Sequence, residues 1–423
     1  MQNGSRYIIA TGVSSLGLSL LYFLSLVLRV PFFITVPAVF VSVLVIFRWV
    51  LKKDVIDEKK PVEKKEQYPF LASVILVAGV YLIVKGFFPV AEKYGGWDAW
   101  GIWNLHAKYL ADPANWKKMF ENALYAHADY PLYVPAVNGF FIRLFSEKYL
   151  MVIPFIFHFS ITLFIPVLIY LEILEKNIVV AATVFFLFAI DTFYLTKGAT
   201  QYADTALAFF FLCAFVCINH ADEGKGRKYI TLAAACLGCC IWTKNEGSIL
   251  ALIFILGYPN SFFSKNNIKA FAMGLGAPLL VFLIFKMFYA TDGAIISSHK
   301  GAFSQLFVAS RYQVIYKYFI ENLNAKFYYV KVCFFIYLLI CLLEMKGPDK
   351  QFFLLLCCMG AYALVYVLSP GGGGVEWLLG TSQERLMHQL MPALMYVLSQ
   401  RFAHVQFSLP RKNEVLLSKK KAF

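Results

Sequence analysis

The sequence predicts an all-α integral membrane protein with about twelve transmembrane helices. Hydrophobic residues make up 60% of the 423-residue chain, and charged residues make up only 15%. Soluble domains average about 45–50% apolar and about 25% charged residues, so much of this chain must face lipid rather than water. Apolar runs recur almost from end to end, and no polar block between them is large enough to fold separately. A single membrane-embedded unit is therefore expected.

The predicted spans are apolar runs that approach the roughly 20 residues a helix needs to cross a bilayer. The first run lacks a small-residue cleavage site and is followed at once by a second, so we interpret it as a retained anchor rather than a signal peptide. The twelve runs are 7–28, 31–50, 69–90, 150–170, 178–195, 204–219, 229–242, 247–263, 270–290, 327–343, 351–368 and 386–400.

The basic residues predict the orientation of these spans, because loops rich in Lys and Arg resist translocation. Lysines crowd the loop 52–67, and further basic residues follow the last span in 401–423. Twelve spans place both segments on the cytoplasmic side. We therefore expect a multi-pass protein of the plasma (inner) membrane, with both termini cytoplasmic and the larger polar segments outside.

The formal charge of +14 does not indicate a nucleic-acid partner. A polynucleotide-binding protein gathers its basic residues on a polar face. Here they occupy short segments between apolar runs, where membrane topology explains them. Membrane lipid, and no nucleic acid, is the expected surrounding of this chain.

The first large outer segment, 91–149, begins with an acid among tryptophans. At helical spacing, Trp97, Trp100 and Trp103 form a stripe beside Asp98. An aromatic belt at the membrane interface with a solvated acid is one interpretation. The alternative is that Asp98 is a general base, with Trp97 and Trp100 stacking on a sugar or lipid headgroup and excluding water.

A second motif in this segment is His127-Ala128-Asp129-Tyr130-Pro131. Proline restricts the residue before it to extended conformations, and alternate residues of an extended chain point the same way. His127 and Asp129 are therefore expected to converge on one ligand, with a divalent cation shared with Asp98 as one possibility. A hydrogen-bonded loop pair is the other interpretation. No other cofactor is indicated.

Two further acids lie next to predicted spans. Asp204 follows Tyr202 and directly precedes an apolar helix, so helix capping explains it; a capping acid can also bind ligand. Lys244 and Glu246 follow the run 229–242, which is short for a bilayer. At that depth both charges are costly unless they are paired or used. A hairpin ion pair is one interpretation, and a lysine that binds a lipid-linked phosphate is the other.

The last third of the chain contributes one candidate and two expected elements. Arg385 lies at the outer edge of the last span, where its guanidinium can bind phosphate or extend toward the interface. The segment 291–326 is expected to hold an amphipathic helix. This helix either lies flat on the outer interface, with Arg311 near headgroups, or is an ordinary packing element. The glycines at 371–374 suggest a flexible lid.

Taken together, these motifs resemble the GT-C superfamily of polytopic glycosyltransferases, which includes protein O-mannosyltransferases and the aminoarabinose transferases of lipid A. The order carries the resemblance: Asp98 after a span, Asp204 before one, a Thr243–Gly247 turn, and Arg385 with Pro392. Trp-Asp-Ala-Trp followed by His-x-Asp-Tyr-Pro is similar to uncharacterised bacterial members. The pattern departs from well-known members because two extra spans come first and Asp98-Ala99 replaces their Asp-Glu pair.

The resemblance implies a fold and a reaction. It implies a GT-C-like transmembrane catalytic domain over 69–400, preceded by two extra spans and a basic loop in 1–68 and followed by a basic tail in 401–423. It implies a polyprenyl phosphate-linked sugar as donor, an acceptor at the outer face, and short interfacial helices in the first outer loop. The leading alternative is a polytopic transporter or flippase for a lipid-linked or small polar substrate, although no half-to-half repeat is evident.

Overall fold

The computed structural model describes residues 4–52, 68–121, 127–291, 302–369 and 374–405. Within these ranges the chain forms helices and no strands. The basic loop 53–67, the glycines at 371–373 with the proposed lid, and the tail beyond 405 lie outside the described residues.

The α-helices are numbered here in chain order, with short π and 3-10 turns left unnumbered. They are α1 Gly4–Val27, α2 Phe32–Leu51, α3 Pro69–Val90, α4 Asn104–Ala111, α5 Lys118–Glu121, α6 Tyr133–Phe145, α7 Val152–Leu174, α8 Ile178–Ile190, α9 Thr192–Ala199, α10 Ala203–Asp222, α11 Arg227–Thr243, α12 Asn245–Gly257, α13 Pro259–Phe263, α14 Ile268–Phe288, α15 Ala309–Ala325, α16 Tyr328–Leu343, α17 Lys350–Leu368 and α18 Gly374–His404.

The helices confirm the predicted class, a multi-pass membrane protein, but they do not establish twelve spans. Each predicted span overlaps a helix or a pair of consecutive helices. Among the described residues, seven helices are long and apolar enough to cross a membrane, and nine segments qualify if two bent pairs each count as one. These pairs are α8 with α9, bent by 61°, and α15 with α16, bent by 97°.

Helix α10 lies at the centre of the bundle and starts at the candidate site. It is apolar on all sides, and its residues from Ala203 to Ile218 are all buried. A helix that is hydrophobic all round is stable only when other helices cover it. It packs against α11 and α18, and α11 packs against α14. The first turn of α10 is therefore held from several directions.

The N-terminal helix α1 is packed within the bundle and contacts the first outer segment directly. The Tyr22 hydroxyl donates to the Leu110 carbonyl oxygen at 2.6 Å, and the Trp242 indole nitrogen donates to Ser19 Oγ at 2.9 Å. Helix α1 thus shares its core with α4 and α11. The division of the chain at residue 68 stays a prediction, but packing does not stop there.

Two local placements differ from expectation. Helix α6, within the first outer segment, is buried over most of its length rather than lying at an interface. Arg311, expected near headgroups, is 9% exposed, and its guanidinium donates to the Ser369 carbonyl oxygen at 2.7 Å. In both cases neighbouring helices cover residues that the sequence pattern alone placed at the surface.

Candidate active site

Asp204, in the first turn of α10, is the centre of a buried ionic cluster. It is 3% exposed. Its Oδ1 accepts from Lys244 Nζ at 3.0 Å and from Gln389 Nε2 at 2.5 Å, and its Oδ2 accepts from Arg385 Nη2 at 3.0 Å. The residue before α10 is Tyr202, and no side chain caps the helix there. The capping explanation for Asp204 is therefore wrong, since long-range partners take up both carboxylate oxygens.

Arg385 on α18 joins Asp204 to the first outer segment. Its Nη1 lies 2.6 Å from Asp98 Oδ2, while Nη2 bonds to Asp204. The Tyr202 ring lies under the guanidinium, 4.5 Å from Cζ, and the Tyr202 hydroxyl accepts from the Asp98 backbone N–H at 3.4 Å. One arginine thus bridges two acids that are more than a hundred residues apart in the chain.

Lys244 reaches the cluster from the tight turn between α11 and α12. It is 2% exposed, and its Nζ lies 3.0 Å from Asp204 Oδ1 and 3.3 Å from Glu246 Oε1. A Cβ at Gly247 would lie 1.9 Å from the Cys240 carbonyl oxygen, so only glycine lets the two helices approach this closely. As the depth argument requires, the buried lysine is paired, and its partners lie on two different helices.

A π-helical turn at Ala99–Trp103 follows Asp98 and separates the three tryptophans. Trp97 and Trp100 are 57% and 53% exposed, whereas Trp103 is fully buried. The wider π turn rotates Trp103 away from the other two. The predicted three-residue stripe is therefore wrong, but Trp97 and Trp100 remain an exposed pair beside Asp98, with ring centroids 5.7 Å apart.

The loop carrying His127 and Asp129 packs against the Lys244 turn. Asp129 Oδ2 accepts from Asn245 Nδ2 at 2.7 Å, and Lys286 Nζ on α14 donates to the Asp129 carbonyl oxygen at 2.6 Å. His127 is exposed, and its ring stacks on Tyr130 with centroids 4.6 Å apart. The two side chains have separate partners and do not converge as an extended chain predicts, because His127 has a φ of 57°.

The described residues contain no group of three His, Cys, Asp or Glu side chains that could hold a metal ion. Asp98 is paired with Arg385, Asp129 bonds to Asn245, and His127 stacks on Tyr130. The geometry therefore offers no ready-made ligand set for a divalent cation shared by Asp98, His127 and Asp129, and that role stays a prediction.

Two groups of the first outer segment, the Tyr130 phenol and the His106 imidazole, are neutral at physiological pH. Burial raises the pKa of Tyr130 well above its ordinary value, and Trp103 stacks on its ring with centroids 5.4 Å apart. The Lys244 ammonium lies 5.7 Å from the Tyr130 centroid. His106 is 1% exposed, and burial, with a smaller effect of nearby His127, lowers its pKa to about 4.

An apolar cavity of about 500 Å³ lies between α15, α16, α17 and α18. Its lining includes Ile315, Phe327, Tyr362 and Leu390. The Tyr362 hydroxyl donates to Gln389 Oε1 at 2.6 Å, and Gln389 Nε2 donates to Asp204. A chain of two hydrogen bonds therefore connects the cavity wall to the buried acid.

Several residues of the site were not predicted from the sequence. Lys286 lies within the predicted span 270–290, and a lysine inside an apolar run was an available signal. Gln389 lies within the span 386–400, and an amide inside an apolar run was a similar signal. Tyr130 and Asn245 are next in sequence to the predicted residues Asp129 and Lys244, and no local pattern distinguishes them.

These features define a multi-pass membrane protein with a buried acid–cation cluster beside an apolar cavity. The model of the dolichyl-phosphate-mannose-protein mannosyltransferase family matches residues 122–288, less than half of the chain. The matched range contains Asp204 and Lys244 but neither Asp98 nor Arg385. No curated protein and no solved structure matches the chain. The family match confirms the resemblance to the GT-C superfamily and supports a membrane glycosyltransferase of the GT-C type.

Proposed function

We propose that the protein transfers a sugar from a polyprenyl phosphate-linked donor to a lipid, glycan or protein acceptor at the outer face of the plasma (inner) membrane. Two findings support the donor class. The matched family is described as using dolichyl-phosphate-mannose, and an apolar cavity lies beside the ionic cluster. The observation that carries the proposal is the Arg385 guanidinium, which bridges Asp98 and Asp204.

The two acids have different roles in this proposal. Asp204 has both oxygens occupied by cationic or amide donors and is buried, so it holds Lys244 and Arg385 in place. Asp98 retains 19% side-chain exposure and lies next to the exposed Trp97 and Trp100. A general base must reach the proton that it accepts. Asp98 is therefore the proposed base, and it exchanges its contact with Arg385 for the acceptor hydroxyl.

The proposed reaction is an in-line displacement at the anomeric carbon. The acceptor oxygen forms the new bond and gives its proton to Asp98, while the glycosidic C–O bond breaks and its electron pair leaves with the phosphate. Inversion of the anomeric configuration follows. Lys244 and Arg385 stabilise the negative charge that builds on the phosphate, as preorganised cations do in a water-poor site.

The remaining candidates position the substrates. Trp97 and Trp100 present ring faces to a sugar or headgroup, and Tyr202 supports Arg385 from below. His127 and Asp129 orient the acceptor from the adjoining loop. Glu246 keeps Lys244 aligned, since their charged groups lie 3.3 Å apart. Holding reactants in one geometry is a large part of the catalytic effect for such a displacement.

The topology of the proposal is the predicted one, with both termini in the cytoplasm and the cluster outside. A lipid-linked sugar presented there needs no nucleotide at the site. Reporter fusions at the outer loops and at each terminus test this arrangement, and a cytoplasmic signal from the 91–149 segment would contradict it.

Complementation with an Asp98→Asn variant tests the function. A deletion strain should accumulate one lipid-linked sugar and lack one surface glycan by mass spectrometry, and the parent chain should restore both. Replacing a general base lowers transfer by about 10²–10⁴-fold, so Asp98→Asn should not restore the glycan. Asp112→Asn makes the same chemical change in the same segment and should restore it. The Asp112 carboxylate accepts hydrogen bonds from its near neighbours Ala114 and Asn115.

Two results would contradict the proposal. Restoration of the glycan by Asp98→Asn would eliminate Asp98 as the base. Substrate uptake into proteoliposomes without any bond formation would favour the transporter or flippase instead.

A further inference from the structure

A second charged cluster lies beside the Asp204 cluster and has no role in the reaction as described. The Glu384 carboxylate pairs with both Lys197 on α9 and Lys326, the residue after α15. The two ammonium groups lie 5.3 Å and 6.0 Å from the centroid of one ring, that of Phe193. We call Lys197, Lys326 and Glu384 the lysine triad.

The two clusters have opposite charge balance. The Asp204 cluster holds three acids, Asp98, Asp204 and Glu246, against the two cations Lys244 and Arg385. The lysine triad holds two cations against one acid. Like charges repel and opposite charges attract most strongly where water is limited. An arriving anion is therefore drawn to the lysine triad, whereas the Asp204 cluster has no cation in excess.

The lysine triad is also partly accessible to a ligand. The side chains of Lys197 and Glu384 are 14% and 17% exposed, and that of Lys326 is 38% exposed. Lys244, by contrast, is 3% exposed at its side chain and has acids on two sides. An anion reaches Lys326 without breaking a buried ion pair.

The lysine triad adjoins the apolar cavity. The Phe193 ring meets the Phe327 ring edge to face at 4.9 Å, and Phe327 lines the cavity. Lys326 precedes Phe327, and Glu384 follows another lining residue, Gln383. A molecule with an apolar chain in the cavity and an anionic end therefore meets these two lysines at the cavity edge.

The lysine triad and the Asp204 cluster are joined through the backbone. Glu384 and Arg385 are consecutive on α18. The Lys197 carbonyl oxygen accepts from the hydroxyl of Thr205, the residue after Asp204, at 3.4 Å. A phosphate held by the two lysines is therefore one helix position away, along α18, from the arginine that contacts Asp98.

We infer that the lysine triad binds the phosphate of an isoprenyl phosphate whose chain occupies the apolar cavity; this rests on the proposed donor class. Glu384 holds the two ammonium groups near each other and leaves one positive charge in excess. Lys197 and Lys326 bind the phosphate of both donor and product, and Arg385 and Lys244 add their charge from the neighbouring cluster as the glycosidic bond breaks. Charge-assisted hydrogen bonds from ammonium to phosphate supply the affinity.

Binding of farnesyl phosphate to the purified full-length protein in detergent tests this site. Lys326→Gln and Lys197→Gln should each weaken binding by about tenfold, the loss expected for one charge-assisted contact. Lys326→Arg should keep most of the affinity. Lys317→Gln removes one positive charge from α15 at a position 70% exposed at its side chain, and should bind like the parent.

Two further probes identify which part of the ligand is recognised. Farnesol, which lacks the phosphate, should bind parent and Lys326→Gln equally. Inorganic phosphate should compete only weakly, because it gains nothing from the cavity.

The outcomes separate this inference from the proposed function. If the parent binds farnesyl phosphate and both glutamine variants bind it equally well, the lysine triad is not the phosphate site, and the proposed reaction stands. If the parent does not bind farnesyl phosphate, the donor class fails and the site fails with it. Equal loss in Lys317→Gln would also overturn the assignment, since it would reflect overall charge rather than the triad.

Discussion

The two ends of α10 carry charged clusters that are built in different ways. At its start, Asp204 is bonded to Lys244, Arg385 and Gln389, which lie 40, 181 and 185 residues away in the sequence. At its end, Glu223 pairs with Lys225 at 2.9 Å and with His220, three residues before it. The first cluster gathers three distant segments, whereas the bonds of Glu223 are mainly local. His220 at this end also reaches one distant acid, Glu172, at 3.1 Å.

The acids at the two ends of α10 also differ in how deeply they are buried. The Asp204 side chain is 4% exposed, whereas that of Glu223 is 43% exposed. Local ion pairs in water contribute little to stability, and buried charges are retained only when partners compensate for the lost hydration. The buried acid at the start of α10 depends on three distant partners, whereas the half-exposed Glu223 at its end is bonded mainly to nearby residues. This difference indicates that the functional groups lie at the start of α10.

Removing the acid at the start of α10 should give the largest effect. Asp204→Ala leaves Lys244 and Arg385 without the carboxylate between them, and breaking a buried pair costs about 3–5 kcal/mol. Thermal unfolding in detergent should show a markedly lower midpoint, and transfer should be lost. An unchanged midpoint would mean that Lys244 and Arg385 find other partners. The two ends of α10 would then not differ in their importance for stability.

The buried imidazole of His106, on α4, should make the fold sensitive to acid. The pKa of His106 is about 4 in the folded state against an ordinary 6.5, so the unfolded chain binds more protons between these values. The contribution of the neutral His106 imidazole to the free energy of unfolding is fully present above pH 6.5. It is lost as the pH falls toward 4, by about 3 kcal/mol in total. Unfolding followed across this range should show a shallower decline for His106→Leu than for the parent. If the two proteins lost stability equally over this pH range, the lowered pKa of His106 would be contradicted.

The end of α10 should tolerate substitution. Glu223→Gln removes a carboxylate paired with Lys225, His220 and Lys176 but leaves a half-exposed polar side chain. The free energy of unfolding should change by no more than about 1 kcal/mol, and glycan restoration in the complementation assay should be complete. A loss comparable to that of Asp204→Ala would show that this end matters as much as the start.

Much of the architecture followed from composition, because apolar runs of bilayer length must become helices. The sequence also singled out Asp98, Asp204, Lys244 and Arg385, since charged residues at the ends of apolar runs are unusual and costly. The sequence did not reveal which of these acids contacts which of these cations. Which acid meets which cation depends on how α10, α11 and α18 pack, and no local pattern encodes that contact.

Other failures have equally physical causes. The π turn after Asp98 moved Trp103 out of the predicted stripe, and a positive φ at His127 broke the expected alternation. Helix α6 lay inside the bundle because α4 and α1 cover it. The count of twelve spans stays a prediction, because α11 and α12, with 17 and 13 residues, are short for a bilayer.

Glu384 and Arg385 are neighbours on one long helix, yet their side chains reach into different clusters. A rigid rotation of α18 about its own axis would move both side chains at once. A ligand that displaces the Glu384 carboxylate from its lysines would therefore also displace the Arg385 guanidinium. Binding at the cavity edge and release of Asp98 from Arg385 would then be coupled.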